Sequence, residues 1–231
     1  ELKQKGLWVE PRIGDIRDIE TLRKIDSDMS FDTIFHAAAL KHVSPSEKFP
    51  DETVKTNILG LMNMLSVFRG VSRFVFISTD KAVNPKTVMG MTKRIGEVMV
   101  SNFGGISVRF ANVLGSRGSV IPIWQKQIDS GKPLTITDSK MERYFMSIQD
   151  AVSLVIDSVD IADPGDIVVL DMGRPVKILD LANEILEKSD KKVGLRNIGI
   201  RPGETLTEKL MTDEEEKSAL KHGKFYIISA K

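Results

Sequence analysis

A doubly wound α/β fold, with a parallel sheet covered by helices on both faces, is the class this sequence predicts. Three observations predict it. Strand-like and helix-like patterns alternate as β-α-β-α-β between Asp32 and Phe110, the order that yields parallel strands. The run Phe74-Val75-Phe76-Ile77 is continuously apolar, as a strand buried on both faces is. Ser78-Thr79-Asp80-Lys81 follows at once, at the strand end where open α/β sheets hold their ligands.

The elements follow in order. Residues 5–9 read as a short strand, and 32–36 as the next. Residues 52–68 read as one helix, with Val54, Ile58, Leu61, Leu65 and Phe68 at helical spacing. Gly70 is placed to stop it. A strand at 73–77, a helix at 87–103 and a strand at 106–110 complete the alternation. After Asn112 the texture changes. Gly115-Ser116-Arg117-Gly118-Ser119 reads as a loop. A helix is expected at 121–130, where Pro122 sits in the first turn. A short strand follows at 134–137, then helices at 149–159 and 178–188 around a strand at 166–170. A last strand is expected at 225–228. The acidic run at 213–216 reads as a solvated helix start, where negative charge suits the dipole. The expected division is a sheet domain at 1–112 and a smaller lobe at 113–231, some of whose segments return to the sheet.

Composition excludes several classes. The chain has 231 residues and is 41% hydrophobic, enough for a substantial core. Thirty-three basic residues against 32 acidic ones leave a net charge of +1, which points to no nucleic-acid partner. There is no cysteine, so disulfides and thiolate chemistry are out, in keeping with a reducing, cytoplasmic setting. His36, His42 and His222 are dispersed, and no metal site is expected. No apolar run is long enough to span a bilayer, and no signal peptide is visible.

The chemistry concentrates at Asp80-Lys81. An acid beside a base at a strand end suits proton transfer, although such a pair can also be an ordinary surface cap. Asn84-Pro85 forces a turn after it. Met89 and Lys93, four apart on the following helix, share a face, which returns Lys93 to the same edge. Arg201 precedes Pro202-Gly203-Glu204, a rigid turn from which its fork suits a diphosphate.

The spacing of Met89 and Lys93 is that of the Tyr-x-x-x-Lys pair of short-chain dehydrogenases. With Ser78-Thr79 upstream, the chain resembles the extended branch of that superfamily. More narrowly, it is similar to the inverting nucleotide-sugar 4,6-dehydratases of polysaccharide biosynthesis, which act on UDP-N-acetylglucosamine. The resemblance rests on seven segments in order: Gly14-Asp15-Ile16-Arg17-Asp18; the stretch from His36 through Ala37-Ala38-Ala39 to Val43; Ser78 to Lys81 with Met89 to Lys93; Val108 to Pro122; Arg143-Tyr144-Phe145-Met146; Leu170-Asp171-Met172-Gly173; and Arg201 to Glu204.

That resemblance implies a Rossmann-like sheet, NAD or NADP as cofactor, a UDP-sugar substrate and a homo-oligomer. It assigns Asp15, Ile16, His36, Ala37, Ala38, Ala39, Lys41, Asn57, Ser78 and Lys93 to the cofactor. It assigns Lys41, His42, Asn112, Ser119, Val120, Arg143, Arg201 and Glu204 to the substrate. The catalytic set it implies is Thr79, Asp80, Lys81, Met89 and Lys93. In such enzymes hydride leaves C4, a base removes the acidified C5 proton, an acid protonates the departing C6 hydroxyl, and hydride returns to C6. Lys81 would be the base and Asp80 the acid, the pair titrating as a unit. Burial and Lys93 would lower the Lys81 pKa while Asp80 would raise it, and burial favours the protonated Asp80 that donation needs. Met89 cannot take the 4-hydroxyl proton, so Thr79, Asp80 or water must. A 4-epimerase, which keeps the tyrosine, and a non-catalytic nucleotide-sugar-binding or scaffolding domain are the alternatives.

One part of the pattern is absent. No Gly-x-Gly-x-x-Gly occurs in the 231 residues, although a dinucleotide fold receives the pyrophosphate at such a turn. The start comes roughly 30 residues too late for a complete β-α-β unit. Two explanations are open: a piece of a longer protein, lacking that unit and any N-terminal membrane region, which is the favoured expectation, or a natural truncation that has lost tight cofactor binding.

Overall fold

A computed structural model describes residues 5–116 and 118–230. Its centre is a six-stranded sheet in the order Thr33–His36, Arg73–Thr79, Ile106–Phe110, Ile167–Leu170, Phe225–Ile228, Leu220–His222. The first four strands are parallel. Phe225–Ile228 pairs antiparallel with both Ile167–Leu170 and Leu220–His222, so the parallel sheet expected from sequence carries antiparallel pairings at one edge.

Burial explains the central strands. In Arg73–Thr79, Phe74, Val75 and Phe76 are all buried, and each such side chain stabilises the fold by about 1.5–3 kcal/mol. The helix Val88–Phe103 packs on one face, closing an apolar cluster with Leu61, Leu65, Phe74, Phe76 and Val100. The helix Ile148–Ile161 covers the other face, where Leu154 meets Val75, Val108 and Val168. A third cluster, around Trp124, Leu134, Met141 and Ile178, lies entirely after residue 113.

Several expectations need correcting. No strand forms over residues 5–9: Leu7 and Trp8 are exposed, and the sheet begins at Thr33–His36. A strand needs a neighbouring edge to hydrogen-bond, and this run has none among the described residues. The single helix expected over residues 52–68 is three joined segments, Pro50–Val54, a π-helical turn Lys55–Leu59, and Gly60–Val67. It ends at Phe68, before Gly70. Two helices went unanticipated. Ile19–Asp28 is capped by the Asp18 carboxylate, which accepts from the Glu20 and Thr21 amides, and Val43–Lys48 follows the Ala37–Ala39 loop. The acidic run does open a helix, Asp213–Ser218, but Glu215 is not solvated. It accepts from both terminal nitrogens of Arg109 at 2.7 and 2.9 Å.

Candidate active site

The strand Arg73–Thr79 ends in a single 3₁₀ turn, Asp80–Ala82. Thr79 caps that turn by accepting from the Lys81 amide at 3.4 Å, and its own hydroxyl donates to Asp80 Oδ1 at 2.8 Å. Lys81 Nζ donates to the same Oδ1 at 3.0 Å. Asp80 is 2% exposed, and its Oδ2 is buried without a hydrogen-bond partner. Such an atom costs roughly 1–3 kcal/mol unless something supplies a donor.

The helix that follows is pressed against this turn. A methyl group at Gly90 would come within 2.3 Å of the Lys81 carbonyl oxygen. Gly90→Ala inside a helix would ordinarily stabilise by up to about 1 kcal/mol. Here the contact should reverse the sign, lowering the thermal midpoint by about 2–4 °C for each kcal/mol lost. A raised midpoint on thermal denaturation would show that the turn yields freely.

Glu208 completes the cluster and was not found from sequence. Its Oε2 lies 3.2 Å from Lys81 Nζ and 3.2 Å from Arg143 Nε. Asp80, Lys81 and Glu208 line one cavity of about 490 Å³, together with Thr87, Gly203 and Glu204. Charge directions follow from these contacts. Burial opposes the charge on Lys81, but Asp80 and Glu208 outweigh it and its pKa is raised. Burial likewise opposes the Asp80 carboxylate, yet Lys81 and the hydrogen bonds around it hold its pKa low. Glu208 goes the other way: burial and the Asp80 charge raise it. Lys81 is thus charged and Asp80 ionised in the resting protein, the reverse of what burial alone led us to expect.

Met89 is buried, and Lys93, 6% exposed, donates to the Ile77 carbonyl at 2.7 Å and lies over the Phe76 ring. Burial pushes the Lys93 pKa down to about 8, against the pull of Glu97. Ser78 is turned away from the cavity. Its hydroxyl donates to Glu97 Oε1 at 2.6 Å, inside a buried network. There Arg109 uses all five of its N–H donors, on Glu97, Glu215 and the Leu210 carbonyl.

The other expected cofactor residues divide. His36 is buried and stacked against Phe74 and Phe76, with its pKa pushed down to about 4 by burial and by Lys93. Ala37 and Ala38 are exposed after the strand Thr33–His36. Asn57, turned inward by the π-helical turn, exchanges two hydrogen bonds with the Leu40 backbone and donates to Thr92, fastening that loop. Asp15 grips Arg17, whose guanidinium lowers its pKa to about 2. Ile16 packs against Gly60.

The expected substrate residues gather around a second cavity of about 230 Å³. Asn112, Ser119, Val120, Arg143, Arg201 and Glu204 all line it. Glu204 also borders the first cavity. Ser119 Oγ is the other buried side-chain atom without a partner among the described residues. Lys41 and His42 are exposed, and the His42 ring closes on Gly118. Arg117, in the expected loop, lies outside the described residues. The Arg201–Glu204 turn is built tightly: Gly203 has φ +81°, and a methyl group there would come within 2.4 Å of Thr87. No group of three or more metal-ligating side chains occurs among the described residues, and no helix there is long and apolar enough to cross a membrane.

A parallel sheet with an acid–base turn at the end of a central strand and a polar-lined cavity beside it defines an α/β protein with a site at the sheet's carboxyl edge. Residues 1–230 match the model of the family described as polysaccharide biosynthesis protein, and the chain belongs to that family. It is 46% identical over 217 residues to the capsular polysaccharide biosynthesis protein CapD of Staphylococcus aureus, covering 89% of this chain but 36% of that protein. Over 229 residues it is 36% identical to a UDP-N-acetylglucosamine 4,6-dehydratase (inverting) of Campylobacter jejuni, covering 94% of this chain and 66% of that one. It is also 37% identical over 228 residues to a UDP-glucose 4-epimerase of Rickettsia typhi, covering 94% of this chain and 66% of that protein. Among solved structures, Pen from Bacillus thuringiensis superposes with a TM-score of 0.91 at 33% identity, covering 99% of this chain and 74% of that one. DesIV, a dTDP-glucose 4,6-dehydratase from Streptomyces venezuelae solved with NAD, shares the fold at 21% identity. Its TM-score is 0.78, and the match covers 92% of this chain and 75% of that one. The chain therefore spans about a third of CapD, two thirds of the Campylobacter jejuni dehydratase and the Rickettsia typhi epimerase, and three quarters of the two solved structures.

Proposed function

We propose that this chain carries the catalytic part of a nucleotide-sugar 4,6-dehydratase acting on UDP-N-acetylglucosamine or a close relative. The observation that carries this reading is the Asp80–Lys81 pair, hydrogen-bonded at 3.0 Å and opening on the larger cavity. Passing the ammonium proton of Lys81 to Asp80 Oδ1 produces, in one move, a neutral amine and a protonated acid. These are the base for C5 and the acid for the departing C6 hydroxyl, and the pair's net charge does not change. A bound nicotinamide cofactor would take up and return the hydride. Lys93 and the exposed Ala37–Ala38 stretch suit its nicotinamide end, whereas no glycine-rich pyrophosphate turn occurs in the 231 residues.

Thr79 addresses the 4-hydroxyl. Its hydroxyl, which donates to Asp80 Oδ1 at 2.8 Å, would orient the 4-hydroxyl where Met89 cannot, and the 4-hydroxyl proton would leave through water, because Asp80 Oδ1 takes the proton of Lys81. In this reading residues 1–112 serve the dinucleotide and much of 113–231 the UDP-sugar. Arg201 and Arg143, both lining the smaller cavity, would face the diphosphate. Arg201→Ala is expected to weaken UDP-sugar binding about tenfold or more, the loss of one charge-assisted hydrogen bond. An unchanged dissociation constant by calorimetry would assign Arg201 to the fold.

The likeness to UDP-glucose 4-epimerases favours a second reading, C4 epimerisation. It has no use for a base at C5. Products separate the two: dehydration yields a 4-keto-6-deoxy sugar, epimerisation an isomer of the substrate.

A further inference from the structure

Resting on the dehydratase reading, the inference concerns Glu208, which neither the local motif nor the expected reaction includes. Its carboxylate is 9% exposed and sits where three elements converge. Lys81 approaches from the 3₁₀ turn at 3.2 Å, Arg143 from the short strand Glu142–Arg143 at 3.2 Å, and Asn112 Nδ2 from the strand Asn112–Val113 at 3.5 Å. Asp80 lines the same cavity and shares the Lys81 ammonium with it, at 3.0 Å. Lys86, Glu204 and Lys209 are the other charged groups lining the same cavity.

Two anions on one ammonium hold its proton. With both Asp80 and Glu208 ionised, Lys81 has no route to a neutral amine near neutral pH. A proton on Glu208 removes one of the two, leaving Lys81 with the Asp80 carboxylate at 3.0 Å. We propose that Glu208 is a positioning residue that controls the acid–base pair: only with Glu208 protonated does Lys81 pass its proton to Asp80. In that step the Nζ–H bond breaks, its electron pair stays on nitrogen, and an O–H bond forms on Asp80 Oδ1. No charge leaves the cluster. Arg143 anchors Glu208 so that it stays within reach of Lys81 in either protonation state.

The arrangement sets the number of protons the cluster must hold. Resting and competent states each carry two, shared among Asp80, Lys81 and Glu208. Raising the pH through the Glu208 midpoint removes the proton the cluster needs, while Lys81, held by carboxylates at 3.0 and 3.2 Å, keeps its own. The alkaline limb of turnover should therefore report Glu208.

The test uses the intact protein and two titrations that need no turnover. In the unaltered protein labelled with ¹³C-glutamate, the Glu208 carboxyl is expected to titrate above the ordinary value of about 4.3. A midpoint at or below that value would overturn the proposal. In ¹³C-lysine-labelled Glu208→Gln, the Lys81 midpoint is expected to fall by about one pH unit or more, the usual effect of removing an adjacent opposite charge. An unmoved Lys81 midpoint would also overturn it. With turnover of UDP-N-acetylglucosamine as the third readout, Glu208→Gln should shift the alkaline limb upward by about one unit or more, and an unmoved limb would overturn the proposal. If the unaltered protein shows no dehydration, the dehydratase reading fails, and the two titrations still decide the role of Glu208.

Discussion

Replacing Lys81 with alanine is expected to lower UDP-N-acetylglucosamine turnover by about 100- to 10,000-fold, the range a positioned general base contributes. Sugar-nucleotide affinity should change little, because Lys81 does not itself line the smaller cavity with Arg201, Ser119 and Asn112. Lys81→Arg makes the claim sharper. It keeps the positive charge between Asp80 and Glu208, but guanidinium does not release a proton near neutral pH. If proton transfer is the role, the arginine variant should fail about as badly as alanine. If charge alone is needed, it should recover most of the rate, and Lys81 would leave the mechanism as a base. Single-turnover kinetics with each variant, beside calorimetric binding, makes the distinction.

The second large effect is structural. Glu97 is fully buried and accepts from Ser78, Arg94 and two nitrogens of Arg109. Glu97→Leu leaves the fully buried Arg109 guanidinium short of two acceptors, and the Ser78 hydroxyl with none. Breaking such a buried pair from one side costs about 3–5 kcal/mol. In a chain of this size that corresponds to a fall in thermal midpoint of roughly 10 °C. Adding Arg109→Met removes the stranded charge and should restore part of the loss, since buried ion pairs are often replaceable as a pair. A single variant that loses less than about 1 kcal/mol would show that water reaches the network. The network matters to function because Arg109 also holds the Leu210 carbonyl and Glu215, and so fixes the segment that presents Glu208.

The central sheet and the Asp80–Lys81 turn were legible because both are written locally. A continuous apolar run marks a strand buried on both faces, and the polar residues after it mark its functional end. The helix Val88–Phe103 was equally plain, with Thr87 capping it by accepting from the Gly90 amide. What escaped depends on distance along the chain. Glu208 meets Lys81 across 127 residues, from a segment with no helical or strand periodicity. Glu215 looked like one more charge in a solvated run, and its bond to Arg109 spans 106 residues. The π-helical turn at Lys55–Leu59 shifts the phase of an otherwise regular helix and swings Asn57 inward, which apolar spacing alone does not reveal. The helix Ile19–Asp28 did carry a signal, Asp18 as cap with Ile19, Leu22 and Ile25 at helical spacing. His36 and Ser78 were assigned by motif position, yet their side chains serve the core and the buried network.

The central claim is that the Asp80–Lys81 pair removes a proton from C5 and expels the C6 hydroxyl. The most direct measurement incubates the intact protein with UDP-N-acetylglucosamine and NAD or NADP in deuterium oxide, and reads the product by NMR. A 4-keto-6-deoxy sugar with deuterium at C5 is the predicted result. A C4 epimer that keeps its original C5 hydrogen would contradict it.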